Sequence, residues 1–199
     1  MSDIRCMTYE DIDFAKSLTD YEEWGYTREG FVRLVNLSPD GCFVAWKGEE
    51  PVGIVTSIKY ADSAFLGTLI VPPQFRGRKI GESLVLHAID RLKKDKVATI
   101  ELDGVFPAVP LYRRLNFRDK YLSLRLFRPG LKKEFSPNRK EPDAPCKDIL
   151  HLDKELTGKD HSRLLTHYIR NLKIDFIPPK KILSMDIHLS DQYLTAAML

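Results

Sequence analysis

Cysteine is scarce in this chain: Cys6, Cys42 and Cys146 are its only three, and they stand far apart. An odd, scattered set makes no metal-ligand spacing and no disulfide framework, so a reducing compartment is the expected setting. A dominant charge is missing too. The 31 Lys and Arg against 28 Asp and Glu leave a formal net charge of +3, too small and too dispersed for a nucleic-acid footprint. No apolar run approaches the roughly 20 residues of a membrane helix, and nothing resembles a signal peptide. No membrane partner is expected, and the cytoplasm is the default location. His151, His161 and His167 lack acidic or cysteine partners at ligand spacing, so no metal is expected either.

What is present is a globular composition, 43% hydrophobic and 30% charged. The most informative stretch runs from Phe65 to Leu92. Phe65 to Val71 is a continuous apolar run with one Gly and one Thr, the pattern of a strand covered on both faces. Pro72 and Pro73 cannot donate to a ladder and end it. A basic loop, QFRGRKIG, follows from Gln74 to Gly81. Ile80, Leu84, Val85, Ala88, Ile89 and Leu92 then fall on one face of a helix.

That join has a chemical meaning. The first amides of a helix lack intrahelical partners and sit at the positive end of its dipole. Gly77 and Gly81 let a ligand approach those amides, and Arg76, Arg78 and Lys79 add charge. A phosphate or pyrophosphate receptor is the reading; a basic turn before a surface helix is the bland alternative. No Gly-Lys-Ser/Thr follows the first Gly, which disfavours a nucleotide P-loop, and the glycines are misspaced for a dinucleotide fingerprint.

VPPQFRGRKIGESL resembles the acyl-CoA signature of the GNAT superfamily of N-acyltransferases, Gln/Arg-x-x-Gly-x-Gly/Ala. Gln74 and Gly77 fit, whereas Lys79 stands where Gly or Ala is expected. The resemblance implies that main-chain groups of Leu69, Ile70 and Val71 bond pantetheine, and that Gln74, Arg76, Gly77, Arg78, Lys79, Ile80 and Gly81 hold the diphosphate of acetyl-CoA. PLYRRLNF is similar to the family's Leu-Tyr-x-x-x-Gly-Phe motif, which implies that Tyr112 protonates the leaving thiolate. Packing against the sheet is the structural alternative for that tyrosine. Asn116 replaces the motif's Gly as a left-handed cap.

No acidic residue lies between Ala64 and Val71, where many relatives carry a glutamate. Candidates for a base are Glu22, Glu23, Glu101 and Asp103, with Glu101 preferred; a water chain or an amine arriving neutral would need none of them. EEWGYT resembles the helix–helix loop that walls the acceptor site, which implies that Glu23, Trp24 and Tyr26 contact the acceptor.

Along the chain, a strand from Ile4 precedes two helices, capped at Thr8 and starting at Thr27. Three antiparallel strands follow, then the central helix, a strand over Val97 to Leu102, a helix capped by Asp103, and a strand over Phe117 to Phe127. The expected fold is α/β, a GNAT-like, mostly antiparallel mixed sheet flanked by helices. It occupies 1–128, with a Pro-rich linker at 129–145 and a C-terminal extension at 146–199 that resembles part of a second GNAT-like half. The function implied is an acetyl-CoA-dependent N-acetyltransferase acting by direct transfer on a small amine or amino-acid-like acceptor. An acyl-CoA-binding sensor without catalysis, or an interaction module whose tail forms a homodimer, are the alternatives.

Overall fold

Two spacings organise the chain, a period of two in its strands and of 3.6 in its helices. The computed structural model describes residues 2–127, 146–171 and 188–198. The chain divides into two units, Met1–Tyr121 with Leu194–Leu199, and Leu122–Tyr193.

The first unit opens with strand β1 (Asp3–Cys6), a short 3-10 turn, and helices α1 (Ile12–Tyr21) and α2 (Arg28–Leu37). The Thr27 hydroxyl caps α2 by accepting from the Gly30 amide at 3.0 Å. Strands β2 (Cys42–Lys47), β3 (Glu50–Lys59) and β4 (Ser63–Ile70) follow as an antiparallel meander. Helix α3 (Ile80–Lys94) crosses to β5 (Thr99–Gly104), which lies parallel to β4. Helix α4 (Val109–Arg114) leads to β6 (Arg118–Phe127). After α5 (Cys146–Thr157) and α6 (Ser162–Asn171), β7 (His188–Met198) closes the sheet in the order β1-β2-β3-β4-β5-β7-β6. The mixed, mostly antiparallel sheet flanked by helices is the architecture expected.

Two cores cover the two faces of this sheet. Ile80, Leu84, Val85, Ala88, Ile89 and Leu92, the face predicted for α3, are all buried against Phe43, Ala45, Leu66 and Leu102. Each of the Ile, Leu and Val side chains contributes about 1.5–3 kcal/mol by leaving water. On the other face, Ile12, Ala15 and Leu18 of α1 and Phe31 and Val35 of α2 pack over Val44 and Ile54.

Two boundaries differ from expectation. Asp103 does not cap a helix: β5 runs on to Gly104, and α4 begins at Val109 after a 3-10 turn over Phe106–Ala108. Pro107 shapes that turn, and Pro110 sits in the first turn of α4, where its missing amide proton is not needed. Leu194 to Met198, at the end of the C-terminal extension, pairs antiparallel with Gly104 to Ile100 of β5. Among the described residues no second GNAT-like half is seen; residues 129–145 and 172–187, on which the linker and part of that expectation fall, lie outside them. Within the second unit, α5 and α6 form a hairpin about Gly158 at φ +69°, and His161 Nδ1 lies 3.0 Å from Asp153 Oδ2.

Candidate active site

The site starts from a break in strand pairing. β4 and β5 pair from Ser63↔Thr99 to Leu66↔Leu102, and no further. Beyond Leu66, β4 carries one extra residue against β3: Ile54 faces Ile70 while Thr56 faces Gly67. Thr68 occupies this bulge at φ +50°, a region where a β-branched side chain is strained. Its hydroxyl lies 3.0 Å from that of Thr56, and Thr56 also donates to the Gly67 carbonyl at 3.2 Å. The extra residue reverses the alternation. Leu69 and Val71 pack toward the core beneath α3, and Ile70 toward α1 and α2.

The gap so opened continues into a cavity of about 510 Å³. Leu69, Ile70 and Val71 form one wall, and Arg76, Gly77, Lys79, Ile80 and Gly81 form the loop at its end. Gly77 has φ +76° with nothing within 4 Å of where a Cβ would stand, so a ligand oxygen can approach the loop. Lys79 adopts φ +62° immediately before α3. This explains why the signature favours Gly there: the backbone is left-handed, and a lysine bears about 1 kcal/mol of strain. A larger recess of about 930 Å³ between α3 and the start of β6 contains none of the loop residues and shares Arg114 with the cavity.

The cations expected to rim the loop differ in their commitments. Arg76 Nε donates to the Val71 carbonyl at 2.8 Å, and its Nη2 pairs with Glu22 at 2.5 Å. Arg78 lies 5.6 Å from the centre of the Phe75 ring and does not line the cavity. Gln74 is exposed in the 3-10 turn before the loop and does not line it either.

Tyr112 is buried on α4, its ring edge-on to Phe117 at 5.9 Å between centroids. A Cβ on Gly104 would stand 2.9 Å from that ring, so glycine there lets the tyrosine lie against β5. Burial pushes the Tyr112 phenol up to about 12. Glu101 is buried on β5 between Ile100 and Leu102, whose side chains face the core under α3. Alternation therefore sends Glu101 to the opposite face, where it accepts from Lys120 Nζ at 2.7 Å. Hydrogen bonding to Glu101 raises the Lys120 pKa. The structure thus does not bring Glu101 into the loop cavity.

At the α1–α2 loop, Trp24 and Tyr26 are half-buried against the second core, Tyr26 lying 5.4 Å from Phe31. Glu23 is exposed at φ +56°. Its neighbour Glu22 lines the cavity instead. Sequence reasoning missed Thr68 as a structural device, and missed Leu111 and Arg114, which line the cavity from α4. Their i, i+3 spacing was the available signal.

The acetyltransferase (GNAT) family model matches residues 6–117, from the end of β1 through the turn after α4. The chain belongs to the GNAT family. It is 31% identical over 137 residues to an uncharacterized N-acetyltransferase of Methanocaldococcus jannaschii, a match covering 59% of this chain and 61% of that protein. The chain thus spans about three fifths of that relative's length, and 49% of two further curated relatives. Among solved structures, a putative acetyltransferase from Pyrococcus horikoshii superposes with a TM-score of 0.78 at 19% identity, covering 99% of this chain and 89% of that one. A Mycobacterium tuberculosis protein solved with CoA covers 99% and 98%, with a TM-score of 0.59 at 13% identity. No helix among the described residues is long and apolar enough to cross a membrane.

Proposed function

We propose that the protein is an acetyl-CoA-dependent N-acetyltransferase that moves the acetyl group directly to a small amine or amino-acid-like acceptor in a ternary complex. The carrying observation is the cavity between the parted ends of β4 and β5, which ends at the free amides of α3. Its chemistry suits the cofactor. The apolar wall of Leu69, Val71 and Leu111 matches a pantetheine arm, and the loop amides with Lys79 match a diphosphate.

Acetyl-CoA would supply the activated acyl group. The chain's residues would bind, orient and move protons. Main-chain groups of Leu69 to Val71 would hold the arm in register, leaving the thioester near the middle of the parted strands. The amine nitrogen bonds to the acyl carbon as the C–S bond breaks; one proton leaves nitrogen and one reaches sulfur. A phenol held near 12 stays protonated at neutral pH and can donate a hydrogen bond to the departing sulfur. Complete transfer to a thiolate of pKa about 8.5 would run uphill, so Tyr112 acts mainly as a donor that stabilises charge. Glu101, through water, remains the candidate to accept the amine proton. Trp24 and Tyr26 would form the apolar side of the acceptor pocket, with Glu23 favouring a cationic amine at the entrance.

One observation favours a second reading, a CoA-binding sensor without turnover: Glu101 is neutralised by Lys120. Calorimetry with acetyl-CoA and a thiol-release assay over a panel of amines separate the two. Binding with release that depends on the amine supports the enzyme. Binding without release from any amine supports the sensor, and no binding defeats both.

A further inference from the structure

The loop cavity has a second basic side that the sequence motifs did not mark. Pro107, Ala108, Leu111 and Arg114, from α4 and the turn before it, line it together with Gly77, Lys79 and Gly81. Two adjacent arginines end α4, and their surroundings differ. Arg113 is bound to the Asp119 carboxylate. Hydrogen bonding to Asp119 raises the Arg113 pKa and lowers that of Asp119. Arg114 is exposed, lines the cavity, and has no ion-pair partner among the described residues. The nearby Arg76 is already divided between the Val71 carbonyl and Glu22. The cavity thus offers two cationic positions with uncommitted donors on different elements, Lys79 with the helix amides and Arg114 on α4.

Coenzyme A carries two kinds of phosphate, a diphosphate in its chain and a monoester on the 3′-hydroxyl of its ribose. The amides of one helix turn can serve the first, whereas the second, a dianion displaced from it, needs a donor elsewhere. A planar guanidinium suits a phosphate monoester because its paired N–H groups match two oxygens at once. Resting on the acetyl-CoA reading above, we propose that Arg114 is the seat of the 3′-phosphate and makes this protein discriminate coenzyme A from its dephosphorylated form.

Calorimetry of CoA and of 3′-dephospho-CoA tests this on the wild type, Arg114→Gln and Arg113→Gln. The wild type is expected to bind CoA about tenfold more tightly than dephospho-CoA, the scale of a hydrogen bond to a charged group. Arg114→Gln should lose that ratio yet bind dephospho-CoA as the wild type does, which also shows that it is folded. Arg113→Gln should keep the ratio. Equal affinity of the wild type for both ligands, or a ratio that survives Arg114→Gln, overturns the assignment while leaving the acetyl-CoA reading intact. If neither compound binds the wild type, both fall.

Discussion

Arg76 in the loop before α3 and Glu22 after α1, 54 residues apart in sequence, form an ion pair at 2.5 Å across one edge of the cavity. Arg76 holds the Val71 carbonyl at the same time, so a single guanidinium ties the end of β4 to the loop that follows α1.

The pair makes the two charges opposite in effect. Glu22→Gln removes a carboxylate from the rim and should tighten acetyl-CoA binding about 2- to 5-fold at low salt, the scale of a partly exposed pair. Arg76→Gln leaves Glu22 unneutralised beside the incoming diphosphate and should weaken binding by at least as much. The effect of Glu22→Gln should fade as salt approaches about 1 M, where screening is nearly complete. Titrations at two salt concentrations check this; a weaker Glu22→Gln complex would refute the electrostatic role.

Thr68 tests what holds the bulge in β4. Thr68→Val keeps the branching and left-handed strain but deletes the hydroxyl beside Thr56, and should cost about 1–3 kcal/mol. Thr68→Gly loses the same hydroxyl but relieves about 1–2 kcal/mol of backbone strain, so it should stay closer to the wild type. Denaturant unfolding ranks them. A valine variant as stable as the wild type would show that the hydroxyl pair is not what holds the turn.

On the proposed role of its hydroxyl as donor to the departing sulfur, Tyr112→Phe should lower turnover with amine while changing acetyl-CoA affinity less than about twofold. The Tyr112 phenol should also ionise above the usual tyrosine range. A folded pKa of about 12 against an ordinary 10 disfavours the ionised form in the native state. The resulting stability is complete below pH 10 and is lost as pH rises from 10 to about 12. Ultraviolet titration of wild type minus Tyr112→Phe isolates this phenol; ionisation near pH 10 would contradict its burial.

Asp11 gives an acid-side test. Burial pushes its pKa up, but Arg5, with two bonds of 2.8 Å, and the Thr8 amide at 2.7 Å outweigh that and hold it below 3.8. A depressed carboxylate stabilises the fold above its unfolded pKa and loses that contribution as pH falls through its folded value. Arg5→Gln should therefore cost about 1 kcal/mol at pH 7 and progressively less below pH 4, as both chains approach the same protonated state. Unfolding midpoints at pH 7 and pH 3 measure the difference, and a constant gap would remove Asp11 from the account.

Local spacing carried much of the outcome. The buried face of α3, the loop from Arg76 to Gly81, the left-handed Asn116 at φ +66° and the cap at Thr27 are all set by residues within a few positions of one another. Such features depend on helix period, backbone sterics and short hydrogen bonds, which a sequence displays directly. The end of the fifth strand was less legible, because Asp103 can cap a helix or extend a strand, and only pairing with Thr195 of β7 settles which. The return of β7 beside β5, the turn at Thr68, the reach of Arg76 to Glu22 and the approach of Arg114 to the loop depend on contacts distant in sequence. Their energies exist only once the sheet has formed, so tertiary structure alone decided how this cavity is opened and charged.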